Sequence, residues 1–178
     1  MKSLFIGLIF IFIDFNLTLN ETMVINLIPD FVGFILMYQG LTQLTNESER
    51  FFKMKPYAIG MAIYSGFLFI LDFLGFPSYV SMVLGIVSMA VTLYILYNIV
   101  MGIRDIEIIR NFFLNSAQLM SYWQLSAIFS GITYFLMLFL PALSIFSALI
   151  ELVVMILFLV AFNKSKNLYI SQTGNFAD

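Results

Sequence analysis

The chain has 178 residues, of which 62% are hydrophobic and only 10% are charged, with a formal net charge of −2. Ordinary globular domains are about 45–50% apolar and about 25% charged. A soluble fold of this length leaves too much surface in water to hide so many apolar side chains. We therefore expect lipid to be the solvent for most of the chain.

The absence of cysteine and histidine excludes several kinds of chemistry. Without them there is no thiolate nucleophile, no Ser–His dyad and no Cys or His metal site. No basic run interleaved with aromatic residues predicts nucleic-acid binding. We expect no catalytic residues, no metal site and no cofactor, and we interpret the chain as a protein that is not an enzyme.

Hydrophobic segments separated by polar turns predict about six transmembrane helices, because a helix needs about 20 residues to cross the hydrocarbon core. Between the fourth and fifth segments, residues 103–122 carry apolar side chains at helical spacing among charged ones, which predicts an amphipathic helix in the membrane interface. The predicted fold class is all-α, with one polytopic domain over 1–178. Its first two short spans either cross fully or form a re-entrant hairpin. The predicted spans are 3–19, 27–44, 57–74, 79–102, 123–140 and 143–162.

The basic residues predict the orientation of the spans. In the six-span topology, all eight Lys and Arg residues fall on the side of the two termini, and the opposite turns have none. An excess of Lys and Arg marks the cytoplasmic side of a membrane protein. Both termini are therefore predicted to be cytoplasmic. The eight residues are Lys2, Arg50, Lys53, Lys55, Arg104, Arg110, Lys164 and Lys166.

A short internal similarity indicates a repeat. The segment AIYSG at 62–66 recurs as AIFSG at 127–131, and Pro77 and Pro141 follow at nearly matching distances. Tandem helical hairpins of the same orientation would give this pattern, as in transporters built from parallel repeats.

Four acidic residues are candidates for binding a ligand or an ion. Asp14, Asp30 and Asp72 fall toward the outer ends of predicted spans, and Glu151 falls nearer the middle of the last. Carboxylates inside a bilayer are costly, so they are usually paired, cavity-facing or functional. No basic residue is predicted on the outer side. The alternative is that Asp30, after Pro29, caps a helix, and that Asp14 and Asp72 reach interfacial water. For Glu151 the alternative is a structural role, hydrogen-bonded inside the bundle.

Small and polar residues form stripes on several predicted helices. Ser144 and Ser147 share the helical face of Glu151, and the fifth span carries Ser126, Ser130 and Thr133. Such stripes either line a solute path or, more often, let helices approach closely in lipid. The predicted helix-packing positions are Gly33, Gly40, Ser81, Gly85, Ser88 and Ser130.

The segment INLIPDFVGFIL at 25–36 resembles a family of small, uncharacterised bacterial integral membrane proteins that share a Leu/Ile-Pro-Asp-Phe-Val/Ile-Gly-Tyr/Phe-Ile-Leu motif after a short first span. The resemblance implies the bacterial cytoplasmic membrane as the location. By size and number of spans the chain is also similar to the substrate-binding membrane component of energy-coupling-factor vitamin transporters, which implies an outward-facing ligand pocket. It departs from that family in its first span, which is bulky and contains one glycine, Gly7.

Two functions from different classes are consistent with these features. The first is a transport-type protein that binds a cation, a proton or a small solute at an outward-facing acidic pocket. The second is a non-catalytic membrane subunit or scaffold that packs against a partner membrane protein or against a second copy of itself. In both, the lipid bilayer is the surrounding partner.

Overall fold

The computed structural model describes residues 1–12, 16–20, 23–26, 29–73 and 78–174, with side chains omitted at 16–26, 72–73 and 78–82. The described part of the chain contains six helices and one short two-stranded sheet, which confirms the all-α class. The elements are α1 (Lys2–Phe12), β1 (Asn16–Asn20), β2 (Met23–Asn26), α2 (Asp30–Gln43), α3 (Glu49–Phe73), α4 (Ser78–Arg110), α5 (Ser116–Phe139) and α6 (Pro141–Gly174).

The chain divides into two compact units, Met1–Ile95 and Leu96–Asp178. In the first unit, α1 packs antiparallel on α2, and α2 packs on α3. The side chains of Leu8, Met37 and Phe51 are fully buried there. The Gln43 amide donates a hydrogen bond to Ser3 Oγ over 3.4 Å, so the end of α2 lies beside the start of α1. The sequence predicts one domain over 1–178, without a boundary at this position.

The second unit is built on the antiparallel pair of α5 and α6, which a single residue, Leu140, connects. Phe158 and Phe162 of α6 are buried, and so are Ile103 and Ile106 near the end of α4. The Gln172 amide donates a hydrogen bond to the Phe113 carbonyl over 3.3 Å, so the end of α6 lies beside the segment that follows α4.

The lengths of the helices match the predicted tandem hairpins. Helices α3 and α4 have 25 and 33 residues, and helices α5 and α6 have 24 and 34. The AIYSG segment lies inside α3 and the AIFSG segment inside α5, each followed by one long helix. The similarity in sequence is therefore accompanied by a similarity in secondary structure.

Four helices are long and apolar enough to cross a membrane, among the residues that the structure describes: Glu49–Leu71, Val83–Arg110, Ser116–Phe139 and Pro141–Gly174. Their outward side chains are apolar, as Ile63 with 70% exposure and Phe135 with 59% illustrate. A continuous apolar surface of this extent is unfavourable in water and is typical of contact with a membrane. The chain is a helical membrane protein.

The predicted helical span over 3–19 is wrong at residues 16–19. Helix α1 has only 11 residues, about 16 Å at 1.5 Å per residue, and residues Asn16–Asn20 form strand β1, which pairs antiparallel with β2. The physical reason lies in the NLTLN sequence, where polar and apolar residues alternate with the period of a strand. Helix α2, with 14 residues, is also too short to cross alone.

The prediction of one amphipathic helix over 103–122 is also wrong. Helix α4 continues to Arg110, and α5 begins at Ser116. Between them Asn111 and Asn115 adopt left-handed backbone conformations, with φ of 54° and 66°, which asparagine tolerates better than most residues. The apolar side chain of Ile109 is 72% exposed rather than packed on the core.

Candidate functional site: a polar seam between α5 and α6

The polar stripes of α5 and α6 face each other across the contact between the two helices. Ser126 and Ser130 of α5 are buried, and so is Ser147 of α6. Glu151, one turn beyond Ser147 on α6, is half-buried beside them. We call the contact surface between α5 and α6 the seam.

Two hydrogen bonds between side chains cross the seam. The hydroxyl of Ser130 donates a short hydrogen bond to the Glu151 carboxylate oxygen Oε1. One turn nearer the hairpin turn, the Thr133 hydroxyl donates to Ser147 Oγ over 2.9 Å. Hydroxyl groups both donate and accept, and the two pairs follow one another along the seam about one helical turn apart.

The position of Glu151 along α6 places it far from the hairpin turn. It follows Pro141 by ten residues, about 15 Å along the helix axis, which is half of the ~30 Å hydrocarbon core. The chain has no Lys or Arg between Arg110 and Lys164. Neither α5 nor the part of α6 beside it therefore supplies a cation to neutralise the carboxylate.

The other three acidic candidates lie elsewhere. Asp30 is the first residue of α2, and its Oδ1 atom is buried, so its carboxylate stands where the helix dipole favours negative charge. Asp14 lies outside the described residues, and so does the side chain of Asp72, whose backbone belongs to α3. Asp30 and Glu151 belong to different units.

Gly33 and Gly40 lie at a close contact between α1 and α2. A Cβ atom on Gly40 would stand 2.5 Å from Leu4 N, and one on Gly33 would stand 2.8 Å from Gly7 O. A Cβ on Gly7 would in turn stand 2.7 Å from Gly33 O. The backbones of the two helices touch here, as small residues allow in membrane proteins.

The remaining predicted packing positions lie on α4. Gly85 and Ser88 are half-buried in the part of α4 that belongs to the first unit, and the Ser81 side chain lies outside the described part. The Tyr64 hydroxyl of α3 donates a hydrogen bond to the Leu84 carbonyl over 2.9 Å. This bond joins α3 to α4 next to Gly85.

Sequence analysis missed Glu107, which organises the start of α5. Its Oε1 accepts hydrogen bonds from the Leu114 N–H over 2.6 Å and the Ser116 N–H over 3.2 Å, and its Oε2 accepts a short one from the Ser116 hydroxyl. The first backbone N–H groups of a helix have no partner within the helix. Glu107 supplies that partner from the last turn of α4.

A capping signal for the same helix start was present in the sequence. Asn115 precedes α5, and its side-chain amide donates a hydrogen bond to Gln118 Oε1 over 2.6 Å. A small polar residue followed three positions later by Gln is the spacing of a capping box, which predicts a helix that begins at Ser116. In the structure Asn115 makes no side-chain capping bond, and Glu107 accepts from the Ser116 N–H instead.

No group of three or more acidic residues that could hold a metal ion occurs within the described ranges. The seam offers one carboxylate, several hydroxyl groups and an apolar surround. Such an arrangement can bind a proton or a small cation. No protein-family model matches the chain, and comparison with curated proteins and with solved structures gave no match.

Proposed function

We propose that the chain is a transport-type membrane protein that binds a proton or a small cation at Glu151. The observation that carries the proposal is the hydrogen bond from the buried Ser130 hydroxyl to the Glu151 carboxylate. It lies between two helices long enough to cross a membrane. The roles predicted for Asp14, Asp30 and Asp72 in an outward-facing acidic pocket stay predictions, and the proposal does not depend on them.

The energetic argument is that an isolated charge in hydrocarbon must be compensated. A charged residue at the centre of a spanning helix costs about 2.5–3.5 kcal/mol on the insertion scale. The seam gives Glu151 one hydroxyl partner, and the sequence gives it no basic residue on α5 or the adjoining half of α6. A bound proton or cation removes the cost, which supports a binding role for the carboxyl group.

The E151Q variant tests the binding role. A ligand that binds the folded state raises its stability according to concentration and affinity. We expect the thermal unfolding temperature of the wild-type protein, purified in mild detergent, to depend on pH or on the concentration of Na⁺ or K⁺. We expect this dependence to shrink in E151Q, because the amide cannot take up a proton or neutralise a cation.

The matched control for E151Q is E49Q. Glu49 is exposed and forms an ion pair with Lys53 over 3.0 Å, and exposed pairs contribute little to stability. E49Q should keep the wild-type dependence. Equal pH and cation dependence in wild type, E49Q and E151Q would rule out Glu151 as the binding group.

The proposed location is the bacterial cytoplasmic membrane with both termini in the cytoplasm. The clustering of basic residues supports this orientation. Lys2 and Lys55 lie at the end of the first unit where α2 meets α3, since the Lys55 ammonium stands 5.3 Å from the Tyr38 ring. Arg110 and Lys166 lie at the end of the second unit where α4 meets the last turns of α6.

Single cysteines test this orientation, because the chain has no natural cysteine. Ala142 in the first turn of α6 and Asn46 between α2 and α3 are both exposed. We expect a membrane-impermeant maleimide to label A142C on intact cells and to label N46C only after lysis. The reverse pattern would invert the proposed orientation.

A non-catalytic subunit or scaffold is the second candidate. It is favoured by the exposure of α5, since only 11% of its most apolar 18-residue stretch is buried. Most of this helix is therefore available to lipid, to a partner membrane protein or to a second copy. Recovery of a stoichiometric partner when the tagged protein is purified in mild detergent would favour this function.

A further inference from the structure

The seam between α5 and α6 differs on the two sides of Glu151. Toward the hairpin turn, the seam contains the hydroxyl groups of Ser130, Thr133 and Ser147. Away from the turn, α6 buries the apolar side chains Val154, Phe158, Ala161 and Phe162, with Phe158 only 2% exposed. Beyond the carboxylate the buried side chains named here are apolar, and buried hydroxyl groups recur at Ser126 on α5 and at Ser165, fourteen residues farther along α6.

The polar half reaches the hairpin turn in short steps. Thr133 follows Ser130 by three residues, and Ser147 precedes Glu151 by four, which are rises of about 4.5 Å and 6 Å. Ser144, three residues nearer the turn than Ser147, donates a hydrogen bond to the Pro141 carbonyl over 2.7 Å. Pro141 and its neighbours at the turn are exposed. Hydroxyl groups thus continue from the carboxylate to the exposed end of the hairpin.

The ligand that fits this line is a proton. Calcium takes six to eight oxygen ligands, and magnesium keeps a nearly ideal octahedron with several waters. Glu151 supplies one carboxylate to the seam, and neither α5 nor α6 contains a second acidic residue. A proton needs only the carboxyl group itself and donors or acceptors that can reorient, which hydroxyl groups are.

We propose that Glu151 exchanges a proton only with the compartment that faces the α5–α6 turn, along the hydroxyl groups of Ser130, Thr133, Ser147 and Ser144. The proposal rests on the proposed function, because it requires a carboxyl group that takes up a proton. The other titratable side chains of the pair are Tyr122 and Tyr134 on α5 and Lys164, Lys166 and Tyr169 on α6. Tyr134 is one turn from Ser130, and the three on α6 lie at least thirteen positions beyond Glu151.

The test measures from which side Glu151 receives its proton. The A142C variant is reconstituted into sealed liposomes at fewer than one molecule per vesicle, and an impermeant biotin maleimide labels the turn only where it faces outward. Streptavidin then isolates vesicles of one orientation. These are treated with dicyclohexylcarbodiimide, a lipid-soluble reagent that adds to protonated carboxyl groups, under a pH gradient of either direction. Mass spectrometry of the peptides measures the adduct at Glu151.

We expect the adduct at Glu151 to form several-fold faster when the acidic solution is on the side of the turn than when it is on the opposite side. The double variant T133V/S147A should lose most of this difference, because it removes the hydroxyl groups between the carboxylate and the turn. The matched control S126A, which removes a buried hydroxyl on the apolar side, should keep it. E151Q should give no adduct at this position.

The possible failures are distinguishable. Equal adduct formation under both gradients, or faster formation with acid on the side away from the turn, overturns the one-sided path and leaves proton binding at Glu151 intact. No adduct at Glu151 under either gradient, with the A142C vesicles intact, overturns both the path and the proposed proton site.

Discussion

Replacing Gly40 with alanine should destabilise the protein, whereas the same change at Gly60 should not. Gly40 is the position where α2 comes closest to α1, and a Cβ atom there would stand 2.5 Å from Leu4 N and 2.6 Å from Leu4 Cγ. A backbone nitrogen cannot move aside as a flexible side chain can. The two helices must separate to admit the methyl group, and they then lose the buried contacts of Leu4, Leu8 and Met37.

The control makes the comparison independent of helix propensity. Alanine favours a helix over glycine by about 0.8–1.0 kcal/mol, so G60A, with no atom within 4 Å of the new Cβ, should be neutral or stabilising. For G40A the steric cost opposes that gain. Overpacking a core costs about 1–3 kcal/mol and occasionally more, and we expect G40A to lie at the upper end of that range.

Thermal unfolding in detergent, followed by circular dichroism, measures the difference. One kcal/mol corresponds to about 2–4 °C for a protein of this size, so G40A should unfold about 5–10 °C below wild type, with G60A at or slightly above it. G33A should behave like G40A, because its Cβ would stand 2.7 Å from Ile11 Cγ1 and 2.8 Å from Gly7 O. Equal unfolding temperatures for G40A and G60A would mean that α1 and α2 are not held in this close contact.

The contact between α1 and α2 shows where sequence reasoning succeeds and where it stops. Two glycines seven positions apart share one face of a helix, so Gly33 and Gly40 can be identified as packing candidates from spacing alone. Their partner cannot be identified in this way. Gly7 is one small residue in a bulky segment, and its significance depends on the register of two antiparallel helices, which is a tertiary property.

The helices themselves can also be predicted from the sequence, whereas some of their ends cannot. Hydropathy identifies all four long helices, because their apolar length is a property of each segment by itself. It misplaces the ends of α1 and α4. The strand that begins at Asn16, after α1, follows from an alternation of polar and apolar residues within an otherwise apolar run. Helix α4 continues past Ile103 because charged residues are as compatible with a helix as apolar ones.

The seam illustrates the corresponding limit for a site. The sequence places Ser130 and Thr133 on one face of one helix and Ser147 and Glu151 on one face of the next. Which hydroxyl meets which oxygen depends on the single-residue connection at Leu140, which fixes how far the two helices slide against each other. Spacing predicts the stripes, and the packing of the hairpin determines the pairs.

Replacing Glu107 with alanine should cost far more stability than replacing Glu49 with alanine. Glu107 accepts hydrogen bonds from two backbone N–H groups and one hydroxyl group at the start of α5. Hydrogen bonds to charged groups contribute about 1.5–3 kcal/mol, and donors left without a partner carry a further desolvation cost. We expect E107A to lose about 2–3 kcal/mol of stability. E49A, which loses one exposed pair with Lys53, should lose less than about 1 kcal/mol.

The E107Q variant separates the charge of Glu107 from its geometry. Its amide oxygen can still accept from the Leu114 and Ser116 N–H groups, and its amide nitrogen can donate to the Ser116 hydroxyl. The unfolding temperature of E107Q should therefore lie between those of wild type and E107A.

Hydrogen–deuterium exchange gives the local measurement: the amides of Leu114 and Ser116 should exchange faster in E107A and should be unaffected in E49A. If E107A left both amides as protected as in wild type, the start of α5 would not depend on Glu107. The loop between α4 and α5 would then need another restraint, which the Gln172 contact with the Phe113 carbonyl is the first candidate to supply.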